Sequence, residues 1–371
     1  MKILIADQFN ELGGAQQILL EMLPAFARHG WTCVLAIPGR GPVSHRAEEL
    51  GVRCEDIPCG PFGCGSKSLT DVAKFGAQFP GLRKRLRQLV EEIGPDVFYV
   101  MGPRLVPAAC SLGGKRPPIL FHMHSYLKQR YAVALTGRCL SRARASVAGN
   151  CQFVLEPLRP YLQNSRVEVI YNGVRDYAGV APRPRGGRIG LIGRICPEKG
   201  QRLFVEAARI VHDSLPQATF VICGDIQFSD DGAYLGEVTE LARGLPVEFT
   251  GWRDDIGEVL RGLDLLVVAS LPQAEATTRV IPEAYSAGVP VLASDLPGIR
   301  EILSDGETGF LFAAGNASAL ATRILEIMGD SSERLGRVTD KARVRYEEGF
   351  AVEVFHRRMM ACIERVDARA Q

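Results

Sequence analysis

In the segment "EATTRVIPE", Glu275 and Glu283 are separated by seven residues. Further upstream, "LIGRICPEKG" sets Arg194 and Lys199 around a proline-containing turn that leaves an apolar run. Near the start, "ADQFNELGGAQ" carries the adjacent glycines Gly13 and Gly14, and "FHMHS" carries His122 and His124. Two cations at a strand's end, beside a helix start, suit a diphosphate: Arg grips its oxygens bidentately and Lys acts as a point charge. Adjacent glycines let the backbone approach a ligand, and a helix start offers free N–H groups to an anion. Carboxylates accept hydrogen bonds from sugar hydroxyls. Each feature also has an ordinary reading: solvated glutamates, a tight glycine turn, a lysine paired with Glu198 on the surface.

The elements that would position these residues are legible. Apolar runs such as "KILIAD", "WTCVLAIP", "DVFYVMG" and "PILFHMH" alternate with helical patterns. The pattern restarts with "RIGLIGRI", "ATFVICGD", "VEFTG", "LDLLVVAS" and "PVLASD". Continuous β-rich runs between helices predict parallel sheets covered on both faces. The Pro, Gly and Arg-rich "YAGVAPRPRGGR" reads as a linker. The expected fold is α/β: two doubly wound domains, about residues 1–175 and 185–350, with a last helix near 351–371. Ligands of such sheets bind at the carboxyl ends of strands, so two domains facing across a cleft would share one site. A helix is expected from just after Glu275 to Ala287, with Pro282 in its first turn and Gly288 stopping it. Eight residues of helix rise ~12 Å. That spans a sugar ring at Glu275 and a ribose at Glu283, with a diphosphate between them against the N–H groups of Ala276, Thr277 and Thr278.

Several classes fit poorly. A composition of 46% hydrophobic and 23% charged residues describes a globular protein. Residues 1–150 hold 19 Lys and Arg against 11 Asp and Glu, whereas residues 151–371 hold 25 against 31. A basic first half suggests an anionic partner. No nucleic-acid module or interleaved aromatic pattern accompanies that charge, so nucleic acid is not expected. The Gly-Gly loop lacks GxGxxG spacing and the following strand lacks a terminal acid, which counts against NAD. Ten cysteines without a CxxC pair read as reduced thiols, and the Cys54, Cys59, Cys64 trio has no nearby histidine to complete a metal site. No run approaches the ~20 apolar residues of a membrane span, and "MKILIAD" enters a strand at once. The expected location is therefore cytosolic.

The helix expected over 81–93 crowds Arg83, Lys84, Arg85 and Arg87 into its first half, against its dipole. That favours an anionic membrane surface or a lipid-phosphate acceptor, with Arg138, Arg142 and Arg144 extending the patch. Asp254 and Asp255 read as a cap for a helix beginning near Ile256, rather than as metal ligands.

The segment "EATTRVIPEAYSAGVPVLASDLPGIREILSDGETGFLF" closely resembles the signature of the retaining glycosyltransferases of family 4, the group 1 glycosyl transferases of GT-B architecture. "GRICPEKG" resembles their phosphate loop, "LGGAQ" their glycine pair, "VIYNGV" their domain-crossing segment and "VEFTGWRDDIGEVL" their nucleotide-base region. The resemblance is strong over about 165–350 and weaker over 15–160. It implies two Rossmann-like domains, with the C-terminal helix returning to the first. It implies that Glu283 holds the donor ribose, Glu275 the donor sugar, and Arg194 and Lys199 the departing diphosphate. It also places Gly13, Gly14, Gly193, Gly224, Trp252, Arg253 and Val280 about the nucleotide sugar. His124 aligns with the family's active-site histidine, with His122 as the alternative. Where the family often has a Gly-Phe-Pro or Pro-Phe-Gly turn after the first glutamate, this chain has Ala276-Thr277-Thr278.

The resulting expectation is a retaining glycosyltransferase. It would use a nucleoside diphosphate sugar as co-substrate and no cofactor or metal, since Arg194 and Lys199 supply the positive charge. Its acceptor would be a glycan, a lipid-linked intermediate of cell-surface polysaccharide synthesis, or a small molecule. A sugar-nucleotide epimerase on the same scaffold is an alternative, although for acid–base work the first half shows only His122, His124 and a few acids such as Asp7 and Glu11 near expected strand ends. A non-catalytic nucleotide-sugar-binding protein is a third.

Overall fold

The computed structural model describes residues 1–60, 69–113, 116–178, 186–226, 232–272 and 277–368, with backbone alone for 69–72. They form two compact units, Met1–Asn172 with Phe355–Gln371, and Gly173–Val354.

The first unit holds seven parallel strands: β1 (Lys2–Asp7), β2 (Thr32–Ile37), β3 (Arg53–Asp56), β4 (Val97–Met101), β5 (Ile119–Met123), β6 (Ser146–Gly149) and β7 (Val167–Val169). Their order is β3-β2-β1-β4-β5-β6-β7. The second holds six: β8 (Arg188–Ile192), β9 (Thr219–Cys223), β10 (Val247–Gly251), β11 (Leu265–Val268), β12 (Val291–Ser294) and β13 (Phe310–Phe312), in the order β10-β9-β8-β11-β12-β13. Central strands such as β4 and β11 are buried along their whole length, as helices on both sheet faces require. Each order reverses direction once, between β1 and β4 and between β8 and β11, the position at which doubly wound sheets open a crevice. The expected α/β class, with two Rossmann-like domains, is what forms.

The last helix, Val352–Asp367, buries Phe355, Met359, Cys362, Ile363 and Val366. That helical stripe joins Ile3, Leu35 and Tyr99 in the core of the first unit, so the C-terminus returns to the N-terminal domain.

One expectation fails. The basic segment is not the start of a helix over 81–93; the helix runs Leu69–Ile93 and carries Pro80 inside it. Its arginines therefore sit past the middle, where the dipole does not oppose them. Three are also used internally. Arg83 donates to the carbonyl of Ser111 (2.8 Å) and Arg87 to that of Leu112 (2.6 Å). Arg116 adds a bond to Cys110 (2.9 Å), so three cations satisfy the carbonyl end of the short helix Val106–Cys110. Arg85 pairs with Glu55 at 2.5 Å.

Candidate functional site

In the second unit the loops leaving β8, β9, β10 and β11 are stitched together by their backbones. Gly193 N–H donates to the Cys223 carbonyl (2.9 Å) and Gly224 N–H to that of Gly251 (2.9 Å). Leu271 N–H donates to the Glu198 carbonyl (2.9 Å), tying the exit of β11 to the cationic loop. Two glycines are obligatory here. A Cβ on Gly224 (φ 148°) would lie 2.0 Å from the Gly193 carbonyl oxygen, and one on Gly200 (φ 74°) 2.0 Å from that of Ala269. The "GRICPEKG" loop thus turns through a short 3₁₀ segment, Pro197–Lys199, and starts the helix Gln201–Ser214 at Gly200.

Lys199 lines a pocket with Ile192, Ala269, Ser270, Thr278 and Val280. Arg194, one residue beyond Gly193, has a 26% exposed side chain that reaches to 4.0 Å from Glu198. The Arg194 carbonyl accepts from the buried amide of Gln201 (2.8 Å), which pins the loop between its two cations. Burial pushes the neighbouring Cys196 thiol up to about 11, so it remains protonated at neutral pH.

The helix carrying Glu283 spans Val280–Ala287, not the longer stretch expected. Pro282 explains the difference: it has no N–H to donate, so the first regular bond available is Glu283 N–H to the Arg279 carbonyl (3.0 Å). Gly288 (φ 71°) ends the helix as expected. Glu275 and Ala276 lie outside the described residues, and with them the spacing proposed to span sugar and ribose. Thr277 precedes the pocket-lining Thr278, which is buried. The Glu283 carboxylate is 13% exposed and stands 3.6 Å from the guanidinium of Arg279.

Trp252 and Arg253 follow β10 at the same sheet edge as Gly193 and Gly224. Trp252 is 47% exposed and its indole N–H donates to Asp254 (3.1 Å). Arg253 is held by Asp255 (2.7 Å), so the Asp255 carboxylate does not cap the helix Ile256–Arg261 as expected. Its pull holds the Asp255 carboxyl below its ordinary value.

In the first unit, Gly13 precedes the helix Gly14–Arg28 as its N-cap. A Cβ on Gly13 would press to 2.9 Å on Gln16, whereas one on Gly14 would meet nothing within 4 Å. Gln16 donates to the buried Asp7 at the end of β1 (2.8 Å), and the Phe9 N–H also donates to Asp7 (3.1 Å). Desolvation nonetheless raises the Asp7 carboxyl to about 6.

His122 is fully buried in β5, and its Nδ1 is hydrogen-bonded to the Tyr99 hydroxyl. This is the ordinary core histidine that the sequence also allowed. His124 packs against it at a tilt of 48°, with ring centroids 3.9 Å apart. Burial depresses both rings, His124 to about 4 and His122 well below its usual value, so both are neutral at pH 7. Among the described residues, neither nitrogen of His124 has a hydrogen-bond partner, although both are buried from solvent. A neutral imidazole in that position offers one donor and one acceptor to an uncharged hydroxyl.

Gln201, Ser270 and Arg279 were not anticipated. Gln201 reads in sequence as an ordinary first-turn helix residue, and Ser270 as the polar end of an apolar run. Arg279 carried a signal, a lone cation inside an apolar helix start. Among the described residues, no group of three or more His, Cys, Asp and Glu is placed to hold a metal ion. No helix among them is long and apolar enough to cross a membrane.

Residues 186–330 match the family model for glycosyl transferases group 1, and residues 13–173 that for a glycosyl transferase 4-like domain. Curated relatives include the sulfoquinovosyl transferase of Arabidopsis thaliana, 31% identical over 42% of this chain and 30% of that protein. Another is the Escherichia coli UDP-Gal:alpha-D-GlcNAc-diphosphoundecaprenol alpha-1,3-galactosyltransferase, 27% identical over 46% of this chain and 47% of that one. The chain thus spans less than half the length of these relatives. Among solved structures, Anabaena HepE in complex with UDP is 23% identical, covers 98% of this chain and 100% of its own, and has a TM-score of 0.81. The sucrose-phosphate synthase of Thermosynechococcus elongatus is 19% identical with a TM-score of 0.80 and full coverage of both chains. At those identities the structures establish the fold. With one model matching the unit that carries Arg194, Lys199 and Glu283 and the other matching the first unit, the chain belongs to the group 1 glycosyl transferases.

Proposed function

We propose that the protein is a retaining glycosyltransferase that takes a sugar from a nucleoside diphosphate donor. The observation that carries this is the arrangement in the second unit: Lys199 in a pocket with Thr278 and Val280, Arg194 at the head of the same loop, and Glu283 on the helix that Val280 begins. In the reaction, the bond from the anomeric carbon to the diphosphate breaks and a bond to the acceptor oxygen forms. The acceptor's proton leaves with the diphosphate. Arg194 and Lys199 stabilise negative charge as it develops on the leaving group, which supplies the role a divalent metal would otherwise fill. Glu283 binds the pentose and Glu275 the donor sugar. His124, neutral across the working range, hydrogen-bonds a sugar hydroxyl rather than transferring a proton. Anabaena HepE, similar in fold, is found in complex with UDP, which makes uridine the first base to test.

The test is incubation with UDP-, GDP- and ADP-linked hexoses, followed by mass spectrometry and anomeric NMR. Nucleotide release with an α-product from an α-donor supports the reading. An isomerised donor would instead make the protein an epimerase, and binding without turnover a sensor. Activity undiminished by EDTA supports metal independence; its loss and rescue by a divalent cation would refute it.

The acceptor is proposed to be lipid-linked and reached at an anionic membrane surface. Between Asp96 and Glu156 the chain has eight Lys and Arg and no carboxylate side chain. On the helix Arg130–Ala143, Tyr131 (55% exposed), Leu135 (45%), Arg138 and Arg142 form one outward stripe. Sedimentation with phosphatidylglycerol vesicles but not phosphatidylcholine vesicles, abolished by Arg138→Glu with Arg142→Glu, is expected. Equal sedimentation with both lipids would refute it.

A further inference from the structure

Arg279 stands where helix chemistry disfavours it. It enters the Val280–Ala287 helix with helical backbone angles (φ −68°, ψ −30°), and its side chain caps no backbone group. Ser, Thr, Asp and Asn are preferred at a helix entry because their oxygens accept orphan N–H groups, and acidic groups are favoured in the first turn. A guanidinium has no acceptor, and its charge opposes the positive end of the helix. Thr277 and Thr278 immediately precede it, so a hydroxyl cap was one residue away. The side chain is also drawn in, at 17% exposure.

What offsets these penalties is Glu283. The Arg279 Nε lies 3.6 Å from Glu283 Oε1, and the carboxylate is 13% exposed. That distance is an ion pair and not a hydrogen bond, and an ionised carboxylate has about four acceptor sites. The pairing therefore restrains the carboxylate by charge, without an Arg279 hydrogen bond occupying one of its acceptor sites. The chain neighbours of Arg279, Thr278 and Val280, line the pocket with Lys199. A local rule broken beside a pocket is the signature of a functional demand.

We propose that Arg279 is a positioning residue whose ion pair with Glu283 sets that carboxylate for the pentose hydroxyls of the donor nucleotide. The inference rests on the nucleotide-sugar reading above.

The experiment is calorimetric titration of wild type, Arg279→Leu, Arg279→Lys and Glu283→Gln. UDP, GDP and ADP on the wild type select the nucleotide. Its ribo diphosphate, 2′,3′-dideoxy diphosphate and ribo monophosphate are then compared, with circular dichroism reporting that each variant folds. Arg279→Leu should weaken the ribo diphosphate about tenfold and leave the dideoxy form unchanged, because both changes sever the same contact. Arg279→Lys should recover part of the loss. Equal weakening of ribo and dideoxy forms overturns the proposal in favour of a general structural role. A loss confined to the diphosphate and absent for the monophosphate overturns it in favour of a phosphate contact. Wild type that binds ribo and dideoxy forms alike removes Glu283 from the pentose. Wild type that binds no nucleoside diphosphate overturns the donor reading and this proposal with it.

Discussion

The buried side-chain amide of Gln201 donates to the carbonyl oxygen of Arg194 at 2.8 Å, closing the cationic loop from inside the second domain. Replacing Gln201 with Leu removes the donor and leaves that carbonyl without it. Stability should fall by about 1–2 kcal/mol. The donor KM should rise more than kcat falls, because the loop that spaces Arg194 from Lys199 is loosened before the donor binds. Thermal unfolding and initial rates check this; an unchanged KM would detach Gln201 from the site.

Two glycine replacements should separate packing from ligand approach. Gly200→Ala drives a Cβ into the Ala269 carbonyl at a φ of 74°, and should lower stability by about 2 kcal/mol or more. Gly14→Ala meets nothing within 4 Å and adds a better helix former, so its melting temperature should hold or rise. Activity of Gly14→Ala should fall nonetheless if a ligand's backbone contact occupies that open space. Full activity would make the glycine pair a plain turn.

Lys199 and Glu283 should divide between turnover and binding. Lys199→Ala should lower kcat about a hundredfold, since charge develops on the diphosphate only as the bond breaks. Glu283→Ala should mainly weaken donor binding, seen as a raised KM and a raised Kd for the nucleoside diphosphate. Wild-type kinetics in both variants would reject these assignments.

Asp7 and His124 should pull the pH dependence of stability in opposite directions. The Asp7 carboxyl is raised to about 6 in the fold, so the folded state is penalised above that pH and relieved as pH falls toward the ordinary carboxylate value. His124 is lowered to about 4, so its contribution is present above the usual histidine range and is lost as pH falls through 6 toward 4. Asp7→Asn, with Gln16 turning its amide to suit, should stabilise the protein at pH 7 by up to about 3 kcal/mol. That gain should vanish near pH 4. Denaturant midpoints across pH 4–8 measure it, and a pH-independent gain would exclude titration of Asp7 as the cause.

Because His124 stays neutral, His124→Ala should lower kcat/KM by a similar factor from pH 6 to 8. An ionisation near 6.5 present in the wild-type rate profile and absent from the variant's would show that the ring titrates during the reaction.

Much was determined along the chain itself. Strands announce themselves as apolar runs, because a sheet covered on both faces needs every side chain of a central strand to be apolar; β4 and β11 are such runs. Gly193 and Gly224 fall just past the ends of β8 and β9, and Lys199 in the loop after β8, as the ends of the apolar runs imply, because a doubly wound sheet gathers the loops after its strands at one edge. Gly288 was legible as a helix stop for the same local reason, a left-handed turn that glycine adopts freely.

Other features depend on atoms distant in sequence. Arg83 and Arg87 look like part of an exposed basic patch until the carbonyls at the end of the Val106–Cys110 helix, which Arg116 also reaches, come within range. His122 and His124 are indistinguishable as letters. Burial within the sheet and the Tyr99 hydroxyl gave one a partner and left the other without one among the described residues. Gln201 and the Arg279–Glu283 pair follow from where a loop and a helix start fold back on themselves. Periodicity reports which face of an element is apolar; which polar group meets which is decided only when packing brings them within hydrogen-bonding distance and removes the water that would otherwise satisfy them.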